Sequence, residues 1–174
     1  MRLTPTYIAE RVTDINLDDL KKEGIKGLIF DLDNTIMPPG TGVYPPDIAE
    51  WLEIVKSQFK IAILSNNPYY NYVQKAGECI GCPAYHKAGK PSKRVVLLAL
   101  KEMELLPEQA VIIGDRPLTD IWVGQRLGMV TILVDPLMKH EEMAIIKFLR
   151  RLEKVFIKPA AKQFSSNKQD NSQE

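Results

Sequence analysis

The sequence predicts a doubly wound α/β fold: a parallel sheet with helices on both faces, Rossmann-like in topology. Two observations carry that expectation. Short runs rich in Ile, Val and Leu recur at Ile25 to Leu32, Lys60 to Leu64, Ala110 to Ile113 and Val130 to Val134, as suits strands buried on both faces. Helical patterns with recognisable ends separate these runs, so successive strands are joined by right-handed crossovers.

The elements follow in order. Asn16 is placed to cap a helix that stops at Gly24, and Pro46 opens one carrying Ile48, Trp51, Leu52 and Val55 on one face. One helix and a loop fit between Asn67 and Lys90. Pro91 opens another helix, with Val95, Leu98, Ala99 and Met103 as its core stripe, and a further one from about Leu118 ends at Gly128. There is no internal repeat. At 174 residues and 45% hydrophobic the chain is sized for one domain with a real core. Residues 1–160 are read as that domain and 161–174 as a disordered tail, since KQFSSNKQDNSQE is polar.

A formal net charge of +1 gives no global field to steer the chain toward nucleic acid. The longest apolar stretches, such as Val95 to Leu100, are too short to span a bilayer. Met1-Arg2-Leu3-Thr4-Pro5 lacks the apolar core and cleavage site of a signal peptide, so the expectation is a cytoplasmic protein. Cys79 and Cys82 form a C-x-x-C pair in a Gly/Pro-containing loop. A redox pair belongs at a strand-to-helix junction, and with His86 the two cysteines make only three zinc ligands. Plain burial is the expectation for both.

The chemistry is expected at strand ends, because ligands of an open parallel sheet gather beyond its carboxyl edge. The first run ends in Phe30-Asp31-Leu32-Asp33-Asn34-Thr35. Two acids this close are tolerated when a divalent cation or a shared proton relieves their repulsion. By itself the pair also fits a turn-capping Asp31 and a solvated Asp33. The second run ends in Ser65-Asn66-Asn67, a hydroxyl and amides suited to phosphate oxygens. Gly89-Lys90-Pro91 places an ammonium before a helix, and the strand at Ala110 ends in Gly114-Asp115, followed by Asp120. A carboxylate there can complete a magnesium shell. Taken singly, these are a cap, a solvated lysine and a turn. Together they set a nucleophile, an acid/base, an anion clamp and a metal ligand at successive strand ends.

On these residues the chain resembles the haloacid dehalogenase (HAD)-like phosphatases over about Gly27 to Asp135. Asp31-Leu32-Asp33-Asn34-Thr35, Ser65-Asn66, Lys90 and Gly114-Asp115-Arg116-Pro117-Leu118-Thr119-Asp120 look like the superfamily's four motifs, in order. FDLDNT, LSNN, HKAGKP and GDRPLTD look like the YqeG-type subgroup of class IIIA, to which mitochondrial and plastid phosphatidylglycerophosphate phosphatases are similar. The resemblance implies catalysis by Asp31 as nucleophile, Asp33 as acid/base and Lys90. It implies phosphate binding by Thr35, Ser65, Asn66 and Lys90, with Thr35 orienting Asp33. Mg2+ would be held by Asp31, the Asp33 backbone carbonyl and Asp115. Asp120 is open between the metal shell and a helix N-terminal position favoured by the dipole.

Neither Thr35 to Ser65 nor Asn67 to Lys90 has room for a separately folded cap, since domains start at about 50 residues. An open site suits a bulky substrate: a protein, a nucleic acid or a lipid head group. From Leu137 to Lys158 the pattern is helical, with Ile145, Phe148, Leu149, Leu152 and Phe156 on one stripe and Lys147, Arg150, Arg151, Lys154 and Lys158 on the other. Such a face can lie on anionic lipid, each basic residue contributing about 1 kcal/mol, or the stripe can pack as a last core helix. The expected partner is thus a phospholipid head group, with peripheral membrane contact through 137–158. Other readings are a HAD phosphatase for protein or soluble phosphoesters, a receiver-type signalling domain without turnover, and a non-catalytic binding module.

Overall fold

The computed structural model describes residues 3–138 and 159–165. Its strands are β1 (Tyr7–Ala9), β2 (Gly27–Phe30), β3 (Lys60–Leu64), β4 (Ala84–Tyr85), β5 (Ala110–Gly114) and β6 (Val130–Val134). They form one sheet in the order β1-β6-β5-β2-β3-β4, and every pairing is parallel. The helices are α1 (Leu17–Lys22), α2 (Pro46–Lys56), α3 (Tyr70–Ile80), α4 (Arg94–Glu102) and α5 (Trp122–Leu127).

The period of two along β2 divides the core. Leu28 and Phe30 face one layer with Leu20, Ile48, Trp51, Leu52, Val55, Val73 and Ile80 from α1, α2 and α3. Ile29 faces the other, with Val96, Ala99 and Leu100 of α4 and Val123 of α5. The sheet is therefore doubly wound, as expected. Gly27 stands opposite both Lys60 of β3 and Ala110 of β5. The chain moves outward from β2 to β3 and β4, then crosses back to β5. The switch point between β2 and β5 is where such a sheet leaves a crevice for a ligand.

The helix starting after Pro91 begins later and is phased differently from the expectation. It buries Val96, Ala99 and Leu100, with Met103 just beyond it, whereas Leu98 is exposed and Val95 only partly covered. In Val95-Val96-Leu97-Leu98-Ala99-Leu100 every residue is apolar, so periodicity alone does not fix the phase. The edge strands β1 and β4 went unread because three and two residues carry no pattern. Cys79 sits in the last turn of α3 and is exposed, and Cys82 follows Gly81 and is half-buried. Burial pushes the Cys82 thiol up to about 12, the reverse of what a redox pair needs. His86 packs edge-on against Tyr70, with centroids 5.2 Å apart.

Part of the expected tail is laid against the domain. The Ala161 and Lys162 amides donate to the Pro5 and Thr6 carbonyls, and Phe164 stacks on Tyr7 at 4.1 Å with an interplanar angle of 4°. The stacked ring and these backbone bonds together anchor an otherwise polar stretch. The basic, amphipathic pattern of 137–158 lies outside the described residues from 139 onward.

Candidate active site

Asp31 follows β2 directly, and its amide donates to the Ile113 carbonyl of β5 at 2.9 Å. The side chain is thereby held at the switch point, with Asp115 at the neighbouring strand end. Lys90 arrives from the loop after β4. Its Nζ lies 2.8 Å from Asp31 Oδ1 and 2.6 Å from Asp120 Oδ1. The second contact is an ion pair by distance without hydrogen-bond direction, and Asp120 Oδ1 has no hydrogen-bond partner. All four side chains are buried.

Asp120 reaches the site through an irregular turn. Pro117–Ile121 forms a π-turn ahead of α5, a widening often found at functional positions. The Asp120 Oδ2 accepts from the Arg116 amide at 3.2 Å. The carboxyl group lies where a side chain at position 114 would be, since a Cβ on Gly114 would overlap it. Glycine is needed there for close approach.

Burial drives Asp31 up to about 7, with Asp120 and Asp115 adding to it and Lys90 opposing. For Lys90, burial disfavours the ammonium, but Asp120 and Asp31 outweigh it and keep the group protonated. Asp31, Asp115 and Asp120 can each turn one oxygen to within 4.8 Å of the others. Three buried carboxylates, two of them on one ammonium, one oxygen without a hydrogen bond, and an all-oxygen donor set fit a hard divalent cation.

The cleft has a volume of about 360 Å³ and is lined by Asp31, Asp33, Asn34, Ser65, Asn66, Asn67, Lys90, Asp115, Arg116 and Thr119. Ser65 is buried, its Oγ accepting from the Asn67 amide at 3.0 Å. Asn66 is engaged at both ends of its side chain by the backbone of Lys90, at 3.0 and 2.8 Å, and so holds the lysine in place. Asn34 adopts a left-handed conformation, φ 67°, which Asn tolerates better than most residues.

Asp33 is not part of the buried acid cluster. The expectation that Thr35 orients it is corrected by the structure. The turn after β2 curls inward, the Thr35 amide donating to Leu32, and its Oγ1 approaches Asp115 Oδ1 at 3.5 Å. Asp33 is held instead by Tyr72 Oη, donating to Oδ1 at 2.7 Å, and by Asn67 Nδ2, donating to Oδ2 at 3.1 Å. Tyr72 had no signal in the sequence beyond its place on an α3 face. Asn67 was within reach, lying in the quoted Ser65-Asn66-Asn67.

A doubly wound sheet with buried acids and a lysine gathered at its switch point defines the HAD-like hydrolase class. The HAD-hydrolase-like family model matches residues 87–136. The "Probable phosphatase YqeG" of Bacillus subtilis is 36% identical over 151 residues, covering 86% of this chain and 87% of that protein. The chain belongs to this YqeG-type family of HAD phosphatases and is a phosphoric monoester hydrolase. It is also 30% identical, over 154 residues and 83% of its length, to the Arabidopsis thaliana "Phosphatidylglycerophosphate phosphatase 1, chloroplastic/mitochondrial". It spans only 44% of that longer protein. A HAD phosphatase structure from Thermococcus onnurineus superposes with a TM-score of 0.54 at 13% identity, covering 74% of this chain and 97% of that one. HAD phosphatases generally use a divalent metal, and a buried Asp cluster that could hold one is present.

Proposed function

We propose that the chain hydrolyses the phosphomonoester of phosphatidylglycerophosphate through an aspartyl-phosphate on Asp31. The observation that supports the mechanism is the different setting of the two acids. Asp31 lies in the buried cluster against Lys90, whereas Asp33 lines the same cleft, half-buried and bonded to Asn67 and Tyr72. In the first step an Asp31 oxygen forms a bond to phosphorus, the bond to the leaving alkoxide breaks, and Asp33 gives that oxygen a proton. In the second, Asp33 takes a proton from water as the water attacks phosphorus, and the bond to Asp31 breaks to release orthophosphate. Lys90 and Ser65 hold the equatorial oxygens as charge develops. Asp31 and Asp115, with Asp120 beside them and the Asp33 carbonyl, would hold Mg2+. Bound there, Mg2+ neutralises phosphate charge and brings nucleophile and phosphorus together.

The lipid reading is supported by the surroundings of the cleft. The segments that flank it, 34–45, 65–69, 86–93 and 116–119, contain no acidic residue, while Lys87, Lys90, Lys93 and Arg116 are all cationic. Tyr69 and Tyr70 stand exposed just after Asn67, at 72% and 57%. Aromatic hydroxyls and cations around an open site suit an anionic head group at an interface. Among the described residues no helix is long and apolar enough to cross a membrane. The test is a panel of phosphatidylglycerophosphate in vesicles, glycerol phosphate, and a phosphopeptide, each with Mg2+ and with chelator. Turnover of the lipid well above the other two is expected. Efficient turnover of a soluble ester with none of the lipid would leave a phosphatase of different substrate.

A further inference from the structure

The segment between β2 and α2 is fixed to α3 at two points. Gly40 and Gly42 take left-handed conformations, φ 73° and 67°, in a turn closed by Thr41 Oγ1 donating to the Pro38 carbonyl at 2.8 Å. The Gly40 amide donates to Tyr72 Oη at 3.1 Å. Tyr44 Oη donates to the Ala76 carbonyl at 2.9 Å. Tyr72 and Ala76 are one turn apart on α3, so the flap is pinned along one stripe of that helix. Of the two pins only Tyr72 continues inward, to Asp33 Oδ1 at 2.7 Å.

We propose that Tyr72 is a positioning residue for the reaction, setting the direction of the Asp33 carboxyl group and tying it to the flap. This rests on the reading of Asp33 as the acid/base. Each oxygen of the Asp33 carboxyl group has its own donor, Tyr72 Oη on Oδ1 and Asn67 Nδ2 on Oδ2, and the two together fix the plane of the group. Tyr72 is half-buried and its hydroxyl is withdrawn from water by the flap above it, which limits its other partners. Substrate that displaces the flap would then alter the aim of the acid.

Tyr72→Phe removes the hydroxyl and keeps the ring. Tyr44→Phe is the control, since it removes the flap's other pin without touching Asp33. With an alkyl phosphate, whose departure needs a proton, Tyr72→Phe should lower kcat roughly tenfold with KM little changed, a fraction of what general acid catalysis contributes. An aryl phosphate should lose much less, and Tyr44→Phe should show no difference between the two esters. In metal-free protein, amide exchange at Gly40 should quicken in Tyr72→Phe while protection of the β2 and β3 amides is retained. Equal losses on both esters in Tyr72→Phe, or slow exchange at Gly40 as in the parent, would overturn the assignment. Asp33→Asn separates the two layers. If it discriminates between the esters and Tyr72→Phe does not, the acid stands and its positioning by Tyr72 falls. If Asp33→Asn itself fails to discriminate, the acid/base reading falls first.

Discussion

Two groups of acidic side chains, one at the strand ends and one beneath the C-terminal segment, differ in what faces them. In the first, Asp31 lies with Asp115 and Asp120 in one buried cluster, and burial with like charge pushes it up to about 7. In the second, each acid meets donors. Asp19 accepts from the Ser165 amide at 2.6 Å and its hydroxyl at 3.0 Å. Glu23 accepts from Tyr7 Oη and from Lys162 Nζ at 2.6 Å. Asp19 is lowered, chiefly by the Ser165 amide. Glu23 is lowered too, because Lys162 and Tyr7 outweigh the burial that opposes them. The outer pair is satisfied by the chain itself and fastens 159–165 to α1 and β1. The inner cluster concentrates negative charge and suits an added cation and phosphate. Covered carboxylates thus serve opposite ends, and the crowding of like charge around Asp31 separates them.

The comparison breaks most visibly at Asp31, the proposed nucleophile. Asp31→Asn should lower turnover by about 10⁴-fold or more, as loss of a covalent nucleophile does elsewhere, while melting in chelator is unchanged or raised because one buried charge has gone. Appreciable turnover in a clean preparation would remove the covalent route. Next in size is Lys90→Met, which leaves Asp31 and Asp120 buried without their ammonium. Denaturation in chelator should show a loss of about 3 kcal/mol, in line with removal of one partner from a buried ion pair. Neutralising a satisfied outer pair should cost far less.

Acidity should act on the two regions with opposite sign. Native Asp31 keeps its proton up to about pH 7, whereas in the unfolded chain it releases it in the ordinary carboxylate range. The native state therefore holds more protons between about pH 4 and 7, and metal-free stability should fall as pH rises through that window. Asp19 is depressed in the folded state, so its contribution is present above the ordinary carboxylate range and lost as pH falls through its folded value. Exchange protection at the Ser165 amide should accordingly be full at neutral pH and disappear in acid. Parallel pH trends in global stability and at Ser165 would contradict the distinction. Smallest is Phe164→Ala, expected to cost about 1 kcal/mol through loss of the stacked pair, with turnover of a soluble ester unchanged.

The strand ends that line the cleft were legible because topology does the placing. In a parallel sheet every carboxyl end lies on one edge, so Asp31, Ser65, Lys90 and Asp115 could be gathered from order alone. What was not legible depends on side-chain direction. Thr35 and Asp33 are two apart, yet the inward curl of the turn sends them to different partners. Tyr72 reaches Asp33 across 39 positions, a contact no local pattern announces. The phase of α4 was hidden by a run in which every residue was apolar, and Phe164 by the polar company around it.

Gly114 has a consequence of a genetic kind. A Gly114→Ala allele would look innocuous: a small residue for a smaller one, inside an apolar strand, with every charged residue intact. Yet the added methyl would stand where the Asp120 carboxyl group sits. Scored by chemical similarity the change is mild, but its phenotype should follow that of losing Asp120 itself. For naturally occurring variants of this family, a plain strand glycine therefore carries as much information as the aspartates beside it.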